Sequence, residues 1–162
     1  MKNFRALLVT GLVAGVAVAG GMTLVSGAAN AALEDAPPSI EEDFSYPGAA
    51  QIEASDGIKL IKGDGKIIFA DCVASATNQI IVRSYARLSG YCFTVKGAPG
   101  YLTLEISDVY QIRGDSHTAS ATVSVDGESE TVALPKNGWV GVGVGEDDTL
   151  PPAVLLELRV TG

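Results

Sequence analysis

From Ile58 to the C-terminus the chain is a series of short β-forming runs cut by turn-forming dipeptides, and this rhythm limits the fold more than any other feature. Ile58–Lys62 and Lys66–Ala70 flank Gly63-Asp64-Gly65, which predicts a hairpin. Gln79–Leu88 and Tyr91–Val95 flank Ser89-Gly90, a second predicted turn. Pro99-Gly100 precedes Tyr101–Ile106, and Val109–Ile112 follows after a brief break. Ser120–Val125 and Glu130–Leu134 flank Asp126-Gly127, a pair suited to a type I′ turn because both central residues must take positive φ. Asn137-Gly138 leads into Trp139–Val144, and a loop, Gly145–Pro152, leads into a last strand, Ala153–Val160. About ten short strands at this spacing, with no long helical period, predict an all-β fold. The expected form is an antiparallel β-sandwich, or a partly closed barrel, of about 8–10 short strands.

Alternation along a strand assigns its faces. Leu102, Leu104 and Ile106 form one predicted core face. Val154, Leu156, Leu158 and Val160 form a second, Val140, Val142 and Val144 a third, and Ala121, Val123 and Val125 a fourth. Tyr91, Phe93 and Val95 share a parity, which puts Cys92 on the opposite, outer face.

Upstream, the chain has three further segments. Lys2 and Arg5, an apolar run from Ala6 to Val25 and Ala29-Asn30-Ala31 have the order of a secretory signal peptide, residues 1–31. An uncleaved membrane anchor is the competing reading of the same run. Residues 32–45, acidic and containing Pro37 and Pro38, read as a flexible lead-in to a β domain over 46–162. Within that domain Ala49–Ala54 reads as one or two helical turns ending at Asp56-Gly57.

An exported chain with two cysteines, Cys72 and Cys92, predicts one disulfide. The formal net charge is −8, and becomes more negative once the two basic residues of the leader are removed. An acidic chain lacks the basic face that nucleic acid or an anionic membrane requires, so neither is an expected partner. No cofactor is expected, and one histidine with two cysteines falls short of a zinc site.

Several residues carry possible chemistry. Trp139, the only tryptophan, shares a strand parity with Gly141 and Gly143, which places an aromatic ring beside a bare glycine strip. Such a flat ring suits the apolar face of a sugar, with Tyr101 and Tyr110 as further contacts. The bland alternative is a ring over the end of the core, with glycines admitting another segment. Glu146, Asp147 and Asp148 behind Gly145 are candidates for calcium, or merely solvated loop charge. Arg113-Gly114-Asp115 spells an integrin-binding tripeptide, but reads better as a turn in which Gly114 takes a positive φ and Asp115 bonds to the backbone. His117 adjoins Ser116 and Asp115, and neighbours this close are not expected to converge into a catalytic group.

Three stretches carry a resemblance: Tyr46–Ala50, Ile67–Cys72, and Gly100–Ile106 continuing through Val109-Tyr110 to Arg113-Gly114-Asp115. Together they resemble small exported actinobacterial proteins of no established function. The resemblance implies export, one disulfide and a β domain, and transfers no active-site residue.

The expected function is therefore that of a secreted, non-enzymatic binding module for a cell-wall or environmental polysaccharide, or for a surface protein. The alternative is an inhibitor of extracellular hydrolases. It would use Gln111–Thr118 or Gly145–Pro152 as its reactive loop. Against it, the familiar subtilisin-inhibitor type usually carries two disulfides and this chain can make one.

Overall fold

The computed structural model describes residues 43–162; the expected signal peptide and most of the lead-in lie outside the described residues. One helix, α1 (Ala49–Asp56), precedes nine strands: β1 (Lys59–Gly63), β2 (Ile67–Ala70), β3 (Gln79–Ser84), β4 (Arg87–Val95), β5 (Gly100–Arg113), β6 (Ala119–Val125), β7 (Glu128–Leu134), β8 (Trp139–Gly141) and β9 (Ala153–Val160). All pairings are antiparallel, in one nine-stranded sheet that does not close, ordered β2-β4-β3-β5-β9-β6-β7. Strands β1 and β8 pair with β5 off that path.

The long strand β5 organises the sheet. Its N-terminal half lies between β1 and β9, and its C-terminal half between β3 and β8. Register slips between Ile106 and Val109, where Asp108 takes φ 57°. The slip keeps both halves facing inward: Leu102, Leu104 and Ile106 before it, Val109 and Ile112 after it, are all buried. One core cluster contains Ile67, Ile80, Val82 and Phe93 from one arm of the sheet and Ala121, Val123 and Leu158 from the other. The two arms thus cover a common core, as in a sandwich. Each inward Leu, Ile or Phe contributes roughly 1.5–3 kcal/mol by leaving water.

Several expected details are corrected. The Gly63–Gly65 turn does not close a hairpin, because β1 pairs with β5 and β2 with β4. Asp64 Oδ1 instead accepts backbone N–H groups of both Lys66 (3.1 Å) and Tyr101 (3.3 Å), so the turn carries the chain from one arm to the other. The connection between β3 and β4 falls at Tyr85-Ala86. Its brace is Ser84, whose hydroxyl accepts the Ala86 N–H (3.0 Å) and donates to the Ser107 carbonyl (2.7 Å). Gly90 lies inside β4 at φ 71°, where an added Cβ would come within 2.9 Å of the Val82 carbonyl oxygen. The predicted Tyr101–Ile106 and Val109–Ile112 strands are one bulged strand.

In β9 the register slips around Leu156 against both neighbours. The buried set is consequently Ala153, Leu155, Leu158 and Val160, with Val154 and Leu156 only half-buried. A single bulge residue changes the face of everything before it. The Trp139–Val144 run is also shortened: β8 ends at Gly141 and a 3-10 turn, Gly143–Gly145, follows.

Other expectations match. Asp126 and Gly127 take φ 52° and 84° and join β6 to β7 with a two-residue turn. Tyr91, Phe93 and Val95 are buried, and Cys92 bonds to Cys72 with the Cα atoms 5.1 Å apart. The bridge pins the connection between β2 and β3 to β4. Buried Gln79 ties the same segment down, donating to the Asp71 carbonyl (2.9 Å) and accepting the Val73 N–H (2.9 Å). At the start of the described chain, Ser45 bridges to Lys62 and the Phe44 carbonyl accepts the Gly63 N–H, so pairing to β1 begins before residue 46.

Candidate binding face

The outer surface of β3, β5 and β8 gathers the most chemistry. Register sets Arg83 opposite Gln111, Ile81 opposite Arg113, and Trp139 opposite Arg113 on the other flank of β5. Because Val82, Ser84 and Ile112 point into the core, alternation turns Arg83, Gln111, Arg113 and Trp139 outward. The Arg83 guanidinium lies 4.2 Å from the centre of the Trp139 ring and donates from Nη1 to Gln111 Oε1 at 3.2 Å. An exposed cation–π contact of this kind contributes about 0.5–1 kcal/mol and holds the indole in place. Trp139 remains 38% exposed. Just past the end of β3, exposed Tyr85 in the β3–β4 turn stacks on Tyr110 of β5, with ring centres 4.6 Å apart and planes 27° from parallel. The face thus brings together two of the aromatic residues singled out from the sequence, Trp139 and Tyr110. It adds Arg83 and Tyr85, whose place on this surface follows from strand pairing that the sequence alone does not specify.

The glycine strip is not bare. A Cβ on Gly141 would overlap the carbonyl oxygen of Gly145, and one on Gly145 would overlap the carbonyl oxygen of Tyr110. On Gly143, which has φ 52°, a Cβ would overlap the Pro151 carbonyl oxygen. These glycines let the 3-10 turn lie directly on the β5 backbone, where the Val142 N–H bonds to the Tyr110 carbonyl at 3.1 Å. Backbone packs against each of these glycines, so the strip is not the bare surface expected beside the ring. Tyr101 lies at the far end of β5, below Arg159 at 5.8 Å, and is not part of this surface.

The Arg113-Gly114-Asp115 tripeptide is folded inward. Asp115 is fully buried. One of its carboxylate oxygens accepts the His117 backbone N–H at 3.1 Å and the other meets His117 Nδ1 at 2.5 Å. The Asp115 bond to the backbone is the one expected of a turn here, and the same turn brings together the Asp115 and His117 side chains, which were not expected to converge. Gly114 is required for space and not for positive φ, since its Cβ would overlap the Pro135 carbonyl oxygen. Backbone bonds from Asn137 to Asp115, from Ser116 to Thr77 and between Thr118 and both Thr161 and Gly162 fasten this segment to three others. Gln111–Arg113 belongs to β5, so Gln111–Thr118 is not a protruding loop. The Asp115–His117 pair acts as a latch. His117→Ala should cost about 1–3 kcal/mol by leaving a buried acceptor half-satisfied, and adding Asp115→Ala should recover part of that loss; chemical denaturation of the three forms checks it.

The acidic loop forms no ligand set. Among the described residues no three His, Cys, Asp or Glu side chains are grouped to hold a metal. Asp147 is engaged locally: Thr149 donates to it from both its backbone N–H (2.9 Å) and its hydroxyl (2.7 Å), bonds that hold the Asp147 carboxyl below its ordinary value. Glu146 and Asp147, with Asp126, Glu128, Glu130 and Leu150, line an open groove of about 690 Å³ beside the β6–β7 turn. Among the described residues no helix is long and apolar enough to cross a membrane.

Fold and surface together define a small disulfide-braced β domain with an exposed aromatic and guanidinium face. No family model matches the chain, and comparison with curated proteins finds no match either.

Proposed function

We propose that the protein is an exported, non-enzymatic binding module that holds an extracellular polysaccharide against the face of Trp139, Arg83, Tyr85 and Tyr110. The observation that carries this reading is the grouping of solvent-facing aromatic rings with a guanidinium and a side-chain amide on β3, β5, β8 and the β3–β4 turn. A sugar presents apolar C–H faces and a rim of hydroxyls. Aromatic rings bury the first, and Arg83, Arg113 and Gln111 can bond to the second. Strand-borne side chains lose little freedom on binding, which favours a shallow site of this kind. The basic, apolar and small-residue leader and the formed disulfide support export.

Retention on insoluble cell wall, chitin and cellulose, with affinity electrophoresis in soluble polysaccharides, tests the reading. Trp139→Ala, folded as judged by circular dichroism, should weaken binding by about tenfold or more, the equivalent of about 1.4 kcal/mol. Equal binding by the variant, or binding by neither form to any polysaccharide, would overturn it.

A further inference from the structure

We infer that the ligand of this face is an anionic glycan, read by Arg83 and Arg113. The inference rests on the polysaccharide reading of the face and names its ligand class. The chain carries nineteen acidic and eleven basic residues. Yet the positions grouped around the indole, Ile81, Arg83, Gln111, Arg113 and Trp139, include two arginines and no acid, and exposed Asp108 lies at the other end of the face, where its carbonyl accepts the Tyr85 N–H.

The pairing of the arginines sharpens the contrast. Four lie among the described residues. Arg87 is bound to Asp56 at 2.6 Å and Arg159 to Glu157 at 2.9 Å. Arg83 and Arg113 have no carboxylate within salt-bridge distance among the described residues. The two flank the only tryptophan, Arg83 over its ring and Arg113 opposite it across the β5–β8 pair. One side-chain bond, to Gln111, engages a single donor of the Arg83 guanidinium. A guanidinium has five donors in a planar fork that matches a carboxylate. A uronate residue would set its ring on the aromatic side chains and its carboxylate on the forks. The rest of the domain is acidic and repels polyanions, so such binding would depend on these two residues and not on diffuse charge.

Affinity electrophoresis of the purified protein tests this with polygalacturonate, alginate and hyaluronan, beside methyl-esterified polygalacturonate as a neutral form of the same backbone. Retardation by at least one of the acidic glycans is expected. Where that glycan is polygalacturonate, its ester should bind at least tenfold more weakly. Arg83→Gln and Arg113→Gln, each checked for an unchanged fold by circular dichroism, should each weaken binding to the acidic glycan by about tenfold. Arg83→Lys should fall between, since it keeps the charge and loses the fork. Equal retardation by acid and ester, or Trp139-dependent binding to chitin or cellulose alone, would overturn the anionic ligand and leave the binding module standing. Acidic-glycan binding unaffected by both Gln substitutions would overturn the role of the arginines. No retardation by any polysaccharide, with capture of a protein partner in its place, would overturn both readings.

Discussion

Replacing Cys72 and Cys92 with serine is expected to lower the unfolding free energy by about 3 kcal/mol. The bridge closes a loop with a sequence separation of 20, and closure of a loop that size removes this much chain entropy from the unfolded state. On the Cys72 side the native state loses little else, because the Gln79 bonds to Asp71 and Val73 remain, while Cys92 is fully buried and its replacement adds the cost of burying a hydroxyl. For a domain of this size the change corresponds to a fall in Tm of roughly 10–15 °C. Urea unfolding of the wild type and the double variant measures it. A difference below about 1 kcal/mol would mean that Gln79 alone holds the segment and that the bridge is redundant.

Gly145→Ala is expected to destabilise by about 3 kcal/mol, the upper end of the usual range for overpacking. Its new methyl would meet a backbone carbonyl of β5, which cannot rotate away as a side chain would. Relief requires the 3-10 turn to lift from β5 or the Tyr110 backbone to shift, and Tyr110 carries one ring of the proposed face. The variant should therefore bind polysaccharide more weakly as well as unfold earlier. Gly127→Ala is the control: the site has open space around it, and only its φ of 84° opposes a side chain, at a cost of about 1–2 kcal/mol. Equal stability of the two variants would contradict the packing assigned to Gly145.

The elements were legible where the local signal is also the structural cause. Asp126-Gly127 sets its turn by dihedral preference alone, and Ala153–Val160 is bounded by prolines before it and a glycine after it. Leu102, Leu104 and Ile106 alternate without interruption and are buried as read. Legibility failed where pairing is non-local. Nothing between Ile58 and Ala70 says that β1 belongs to β5 and β2 to β4, because partners distant in sequence decide it. It failed again at bulges, where one unpaired residue such as Leu156 reverses the burial of Val154 and Leu156. Glycines were misread for a related reason. Gly90 resembled a turn and Gly141 a bare surface, while both answer to a neighbouring backbone that only the folded chain brings near.

The candidate face was half legible. Trp139 and Tyr110 stand out by residue type, but Arg83 becomes significant only when strand pairing lays it over the indole. Asp115 and His117 were dismissed because extended neighbours diverge. A bend at Ser116–His117, held by the Asp115 side chain on the His117 N–H, brings the two together.

Because Trp139 is the only tryptophan, acrylamide quenching of its emission reads the proposed face directly. In the free protein the partly exposed indole should be readily quenched. A saturating polysaccharide that retards the protein in a gel should protect it and shift its emission to shorter wavelength. Quenching that the same bound polysaccharide leaves unchanged would place the sugar elsewhere on the domain and contradict the assignment of this face.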